Sequence, residues 1–173
     1  HSEGRSYMRR QGEGKFDVIQ MSGVDSFTAL STGAYTLSES YLYTTDAVKE
    51  FYRALTDRGY VNYSRFILNY PHKPRETLRL AHIARTALEE MGIEDPASHL
   101  CVLQGSNWAS TMIKKKPFTR PEIDALIEFA KVEGFKGLIF DPLHDPKEPL
   151  PPSPQTVASG MVELSVVIRA RIG

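Results

Sequence analysis

Strand-like and helix-like patterns alternate along residues 17–140, and this alternation constrains the fold more than any other feature of the sequence. Short apolar or β-branched runs are typical of strands, whereas apolar residues recurring three and four positions apart indicate the buried face of a helix. Regular alternation of the two favours a layered α/β fold with a mainly parallel sheet. The predicted strands cover 17–22, 60–66, 99–103, 108–114 and 137–140, and the predicted helices begin at Thr45, Arg75 and Thr119 and end before Gly59, Gly92 and Gly134.

The composition changes after residue 140. Six of the eleven prolines lie between Pro142 and Pro154, which indicates an extended linker. Residues 161–172 then alternate apolar and polar side chains with period two, the pattern of a strand with one apolar face. We therefore divide the chain into a domain over 1–148, a proline-rich linker over 149–160 and a C-terminal strand in 161–173, which we expect to be exchanged between protomers.

Composition excludes several classes of function. The chain has 21 basic and 21 acidic residues among 173, so it lacks the overall positive charge of a nucleic-acid-binding domain. No apolar run approaches the ~20 residues that a spanning helix needs. The single cysteine, Cys101, cannot form an internal disulfide, and the five histidines show no metal-ligand spacing. The start at His1 is interpreted as a fragment boundary.

Polar residues that follow strands are the first candidates for a site, because ligands of parallel sheets bind at the carboxyl ends of strands. Ser22 and Asp25 follow the first predicted strand, and Gln104 follows the third. Asp25 could accept a proton or hold an ammonium ion, or it could cap the loop backbone. Trp108 could line a pocket or pack in the core, and the hydroxyl of Ser22 could simply satisfy backbone groups.

Several motifs occur in a fixed order over about 140 residues. The chain reads Asp-Val-Ile-Gln-Met-Ser-Gly-Val-Asp at 17–25, Leu-Tyr-Thr at 42–44, Glu-Phe-Tyr-Arg-Ala-Leu at 50–55 and Gly-Ser-Asn-Trp at 105–108. Upstream lies Glu3-Gly4. This order resembles the spermidine synthase (polyamine aminopropyltransferase) family, particularly bacterial spermidine synthase-like relatives fused to membrane segments.

The resemblance implies the carboxyl-terminal half of a methyltransferase-type Rossmann fold, with three α/β/α layers and an added C-terminal strand. It implies that the parent protein transfers an aminopropyl group from decarboxylated S-adenosylmethionine to a polyamine. Asp25 and Ser22 then occupy the catalytic positions, Glu3 and Gly4 the cofactor-binding positions, and Gln104 and Trp108 the substrate-binding positions. Decarboxylated S-adenosylmethionine or S-adenosylmethionine is the implied co-substrate, with no tightly bound cofactor and no metal.

The chain departs from the family pattern at important places. Ser22 stands where the family has the first aspartate of its acidic pair, and serine is not a base near neutral pH. Glu3 replaces an aspartate, and the family's glycine-rich nucleotide motif would lie upstream of residue 1. We therefore leave open whether the protein is an enzyme, and we expect the chain to be inactive alone. The alternatives are a non-catalytic assembly or ligand-sensing module, and an S-adenosylmethionine-dependent transferase with another acceptor.

The same interpretation sets the expected partners and location. We expect a small polyamine or nucleoside ligand, a homodimer and no nucleic acid. The expected location is cytoplasmic, with membrane attachment arising only through a fused region of the parent. Because the parent fold places further strands beside residues 17–22, this strand becomes a sheet edge here, which we expect the segment 161–172 or another chain to cover.

Overall fold

A computed structural model of the protein describes residues 4–22, 40–67 and 75–144, which form four helices and one five-stranded sheet. The helices are α1 (Gly4–Gln11), α2 (Thr45–Ala54), α3 (Arg75–Glu90) and α4 (Arg120–Val132). The strands are β1 (Phe16–Ser22), β2 (Leu55–Phe66), β3 (Leu100–Gln104), β4 (Trp108–Lys114) and β5 (Gly137–Phe140). Glu3, Asp25, the linker and the C-terminal segment lie outside the described residues.

The expected α/β class is confirmed, but the expectation of a mainly parallel sheet is wrong. The strand order is β1-β2-β4-β3-β5, and only the β1–β2 pair is parallel. The reason lies in the connection between β3 and β4, residues 105–107, because three residues can join antiparallel neighbours but cannot make a crossover. Even so, β1, β2 and β3 all run in the same direction, so their carboxyl ends lie along one edge of the sheet, hereafter the carboxyl edge.

Helices cover the two faces of the sheet unequally. On the first face, α2 and α3 pack over a core that includes Val48 and Leu88 and extends across the strands from Met21 to Val102. On the second face, α4 packs through Ile123 and Ala130 on Cys101, Leu103, Met112 and Leu138, which belong to β3, β4 and β5 only. Tyr60 at the start of the paired part of β2 also packs against this cluster. The rest of the second face over β1 and β2 contributes no residue to the cluster beneath α4 in the described part of the chain.

Local signals set most element boundaries. Thr44 caps α2 by accepting a hydrogen bond from the amide of Ala47 at 3.1 Å, and Glu122 completes the predicted capping box of α4 by accepting from the Thr119 amide at 2.8 Å. Gly92 follows α3 in the left-handed conformation, as the sequence predicted.

The predicted end of α2 is wrong. The helix ends at Ala54, and Gly59 lies inside β2 instead of after the helix. A Cβ atom at Gly59 would come within 2.6 Å of the Phe16 carbonyl oxygen. Gly59 is therefore needed because β2 passes close to the backbone at the start of β1. Phe16 is distant from Gly59 in the sequence, so the local sequence pattern did not indicate this contact.

Candidate functional site

The second face of β1, β2 and β4 carries a row of hydroxyl and amide groups. Ser22 faces Ser64, and Ser64 faces Ser110, in the register of the three strands. The Oγ atoms of Ser64 and Ser110 are 3.1 Å apart, and Gln20 Nε2 donates to Ser22 Oγ at 2.6 Å. Asn62 Nδ2 donates to Gln20 Oε1 at 2.9 Å. These five side chains form what we call the serine–amide network.

The network leaves one buried polar atom unsatisfied. Asn62 Oδ1 is shielded from solvent and has no hydrogen-bond partner. If both the Asn62 and Gln20 amides were turned over, the hydrogen bond between them would persist and Asn62 would leave an unpaired N–H instead. A buried polar group without a partner is unfavourable, so a bound polar group above Asn62 would stabilise this face.

An aromatic pair stands beside the network at the carboxyl edge. The ring centroids of Phe66 and Trp108 are 3.7 Å apart at an interplanar angle of 36°. Phe66 is 39% exposed, so the pair offers an accessible apolar surface next to Ser22 and Ser64. This combination of a flat apolar surface and adjacent hydrogen-bonding groups suits a ligand with an aromatic ring and hydroxyls.

The turn before Trp108 is covered from the far end of α4. Phe135 packs against Gly105, where an added Cβ would meet the Phe135 ring at 3.4 Å. The backbone joins the same region, because the amide of Lys136 donates to the Gln104 carbonyl at 2.8 Å. This packing holds the turn that leads into β4, and it thereby helps to position Trp108, the first residue of that strand.

The structure separates two of the expected site residues. Trp108 shares the second face with Ser110 and Met112, whereas Gln104 follows Leu103 and so points to the first face. Gln104 is 5% exposed and lies opposite Ala109, a residue of the first-face core. Gln104 and Trp108 therefore do not share one pocket wall in the described residues, although both lie at the carboxyl edge.

Ser22 does lie at the carboxyl edge, exposed and next to the aromatic pair. Its hydroxyl accepts from the Gln20 amide, which cannot take up a proton, so this contact does not activate serine as a nucleophile or base. Gly4 begins α1, and the next residue, Arg5, donates to the Tyr41 carbonyl at 3.2 Å. The start of α1 thus lies beside the residues that lead into α2.

A cation also lies near the carboxyl edge, on the first face. The Arg65 guanidinium lies 4.4 Å from the centroid of the Tyr43 ring, and Arg65 Nη2 is 3.8 Å from Glu76 Oε2 at the start of α3. Tyr43 in turn packs on Tyr63, whose pKa is raised by burial. The arginine is therefore held in place by neighbours.

A second polar cluster, with a structural role, lies at the opposite edge of the sheet, where β3 begins and β4 ends. Tyr52 donates to the Lys115 carbonyl at 2.8 Å and lies 3.3 Å from His99 Nδ1, while Lys115 Nζ donates to the Tyr52 carbonyl at 2.9 Å. Burial raises the pKa of Tyr52 to about 12 and lowers that of Lys115. These contacts fasten α2 to β3 and β4.

Cys101 is fully buried in β3, and burial raises the pKa of its thiol, so it has the properties of an inert core residue. Among residues 4–22, 40–67 and 75–144, no three His, Cys, Asp or Glu side chains are arranged to hold a metal ion. In the same stretches, no helix has both the length and the apolar character needed to cross a membrane.

No protein-family model and no curated protein matches this sequence.

Sequence analysis missed four members of the serine–amide network and the role of Phe66. A signal was present, because Asn62 and Ser64 alternate with Val61 and Tyr63 along a strand that is otherwise rich in β-formers. Polar residues at every second position indicate that one face of a strand lies outside the core. The partners across the sheet could not be identified without the register.

Proposed function

We propose that the chain is a spermidine synthase-like domain that binds an S-adenosyl-type nucleoside at the carboxyl edge of its sheet. The observation that carries this proposal is the collection of Ser22, the serine–amide network and the Phe66–Trp108 pair on the second face near the carboxyl edge, where β1 and β2 end and β4 begins. An adenine ring can stack on an aromatic surface, and ribose hydroxyls can bond to hydroxyl and amide side chains. The motif order from residue 17 to 108 supports the same lineage.

The parent protein would catalyse aminopropyl transfer. An amine of the polyamine would attack the aminopropyl carbon next to the sulfonium of decarboxylated S-adenosylmethionine. A carbon–nitrogen bond forms, the carbon–sulfur bond breaks, and its electron pair leaves with sulfur as a neutral thioether. The attacking nitrogen must lose a proton, and Asp25 is the residue that would accept it. The Ser22 hydroxyl could donate a hydrogen bond to the amine nitrogen or accept one from its N–H, but it could not serve as this base.

The first experiment uses the fluorescence of Trp108, the single tryptophan of the chain. S-adenosylmethionine, its decarboxylated form and methylthioadenosine are titrated into the protein, with calorimetry in parallel. We expect a saturable change in Trp108 emission. Phe66→Leu should weaken binding by about tenfold, because it removes one aromatic surface.

The matched control is Phe129→Leu, since Phe129 is also an exposed aromatic residue but lies on α4 and pairs with Phe135. Its affinity should equal that of the wild type. If millimolar nucleoside produces neither a fluorescence change nor heat, the proposal is wrong. Equal loss of affinity in both variants would show that the nucleoside binds elsewhere.

A ligand-sensing module is the second candidate. The observation that favours it is Ser22, an uncharged residue bonded to an amide at the position of the first catalytic acid. Incubation with decarboxylated S-adenosylmethionine and putrescine distinguishes the two. Transfer that disappears in Asp25→Asn supports the enzyme, whereas nucleoside binding without transfer by the full parent protein supports the sensor.

A further inference from the structure

The two edges of the sheet differ in how they are protected against pairing with another strand. At one edge, β5 is four residues long and Pro142 follows soon after it. At the other edge, β1 is seven residues long, has Asp17 as its one charged residue and no proline, and pairs only with β2 in the described residues. Short strands, charges and prolines are the usual means of protecting an edge, so β1 is the open one.

A poorly supported helix lies on the same side. α2 contacts β2 and lies between α1 and α3, while α3 lies over β3 and β4, so α1 occupies the side of α2 nearest to β1. No residue of α1 is buried, and Tyr7 is 45% exposed. On the first face of β1, Ile19 is only partly buried. The helix and the first face of the edge strand are therefore incompletely covered in the described residues.

We propose that residues 161–172 of this chain pair with the open edge of β1 as a sixth strand. The described chain ends at His144, just after β5, so the segment must cross the sheet to reach β1. The connecting residues 145–160 can span roughly 50 Å when extended, and the five strands are only about 19 Å across. The connection is therefore long enough, even with the stiffness of its prolines.

The side-chain pattern of the segment matches that of β1. In β1, Ile19 and Met21 pack against the first-face core, while Gln20 and Ser22 lie on the second face. Residues 161–172 alternate in the same way, with one wholly apolar side and one mostly polar side. Pairing that places the apolar side on the first face puts it beneath α1. The apolar residues are Val162, Leu164, Val166, Ile168, Ala170 and Ile172.

This proposal does not rest on the nucleoside site, because the pairing uses the backbone edge of β1 and the first face, whereas the nucleoside would lie on the second face. Failure of either proposal leaves the other standing.

The test is backbone hydrogen exchange of the peptide that covers residues 16–22 in the full chain. The variant Val166→Pro/Val167→Pro removes two consecutive amide donors, one of which must point toward β1. The control, Gln155→Pro/Thr156→Pro, adds the same two prolines within the linker. We expect β1 amides to exchange about tenfold faster in the first variant and at the wild-type rate in the control.

The peptide covering Gly137–Phe140 serves as an internal reference for the fold of the sheet, because β5 is far from the proposed contact. Light scattering is recorded on the same samples. The proposal is supported if the β1 amides are protected in the wild type and lose this protection in the first variant. Light scattering then shows whether the protein is a monomer, in which the segment pairs within its own chain, or a dimer, in which it pairs with the partner. Fast exchange in all three proteins overturns it. Protection that persists in the first variant also overturns it, since β1 must then be covered by something else.

Discussion

β3 and β1 both belong to one sheet and both contain apolar side chains, yet their environments are opposite. All five residues of β3 are buried, whereas β1 has a single buried residue, Met21. The difference comes from neighbours, because β3 has strands on both sides and helices on both faces, while β1 has one strand and one covered face. Burial in a sheet is therefore decided by position in the layers and cannot be read from the strand's own residues.

The largest effect should come from shortening a buried side chain in β3, with the corresponding change in β1 as the comparison. Leu100→Ala in β3 should lower the free energy of unfolding by about 3–4 kcal/mol, because Leu100 is fully buried. Val18→Ala in β1 should cost about 0.5 kcal/mol or less. Urea unfolding measures both. A loss above about 1.5 kcal/mol for Val18→Ala would show that another part of the chain covers β1.

A smaller effect is expected where the two regions meet. Gly59→Ala places a Cβ within 2.6 Å of the Phe16 carbonyl, so β1 or β2 must shift, at a cost of about 2 kcal/mol. The matched variant is Gly105→Ala, whose Cβ would meet the Phe135 ring at an ordinary 3.4 Å. It should cost less than about 1 kcal/mol. Equal destabilisation of the two variants would contradict the close approach at Gly59.

The smallest effect concerns the attachment of α1 to α2. Arg5 Nε and Arg9 Nη2 donate to Glu50 at 2.7 and 2.8 Å. Burial alone would raise the pKa of Glu50, but these hydrogen bonds outweigh it and lower the pKa below its usual 4.5. A carboxyl group whose pKa is lowered by folding stabilises the protein at pH values above its pKa in the unfolded chain. This stabilisation is lost as the pH falls through the folded-state pKa.

Glu50→Gln should therefore destabilise the protein by less than about 1 kcal/mol at neutral pH and flatten the loss of stability below pH 4.5. Glu128→Gln is the control, because Glu128 is an exposed carboxylate on α4. Urea unfolding at a series of pH values separates the two. If the free energy of unfolding of Glu50→Gln falls with pH below 4.5 as steeply as that of the wild type, Glu50 does not contribute to the attachment of α1.

Sequence was informative wherever a structural signal is local. β4 begins and ends as predicted, and the capping residues of α4 were identified from the spacing of Thr119 and Glu122. The strand directions were missed because the alternating pattern suggested crossovers, although the short link at 105–107 indicated a hairpin. The helix α1 was not predicted, because its few apolar residues leave no strong stripe.

The site shows the same limit. Ser22 was placed at the carboxyl edge because it follows a predicted strand, and the structure puts it there. Trp108 lies at the same edge only because β4 runs antiparallel to its neighbours, which the sequence analysis did not predict. Which side chains face them depends on register, so Phe66 and Asn62 were not identified. Gln104 and Trp108 were both named as substrate-binding positions, but the pleat sends the two side chains to opposite faces.

The contact between Phe135 and Gly105 sets an order in which this molecule can form. The hairpin of β3 and β4 needs only nearby residues, yet its turn is covered by a side chain thirty positions later in the chain. During synthesis, the turn must wait uncovered until Phe135 has left the ribosome, because domains mature as their chain emerges. The turn beside Trp108 is therefore covered only after α4 has been made, so a ligand that contacts Trp108 meets its final surroundings only once Phe135 is in place.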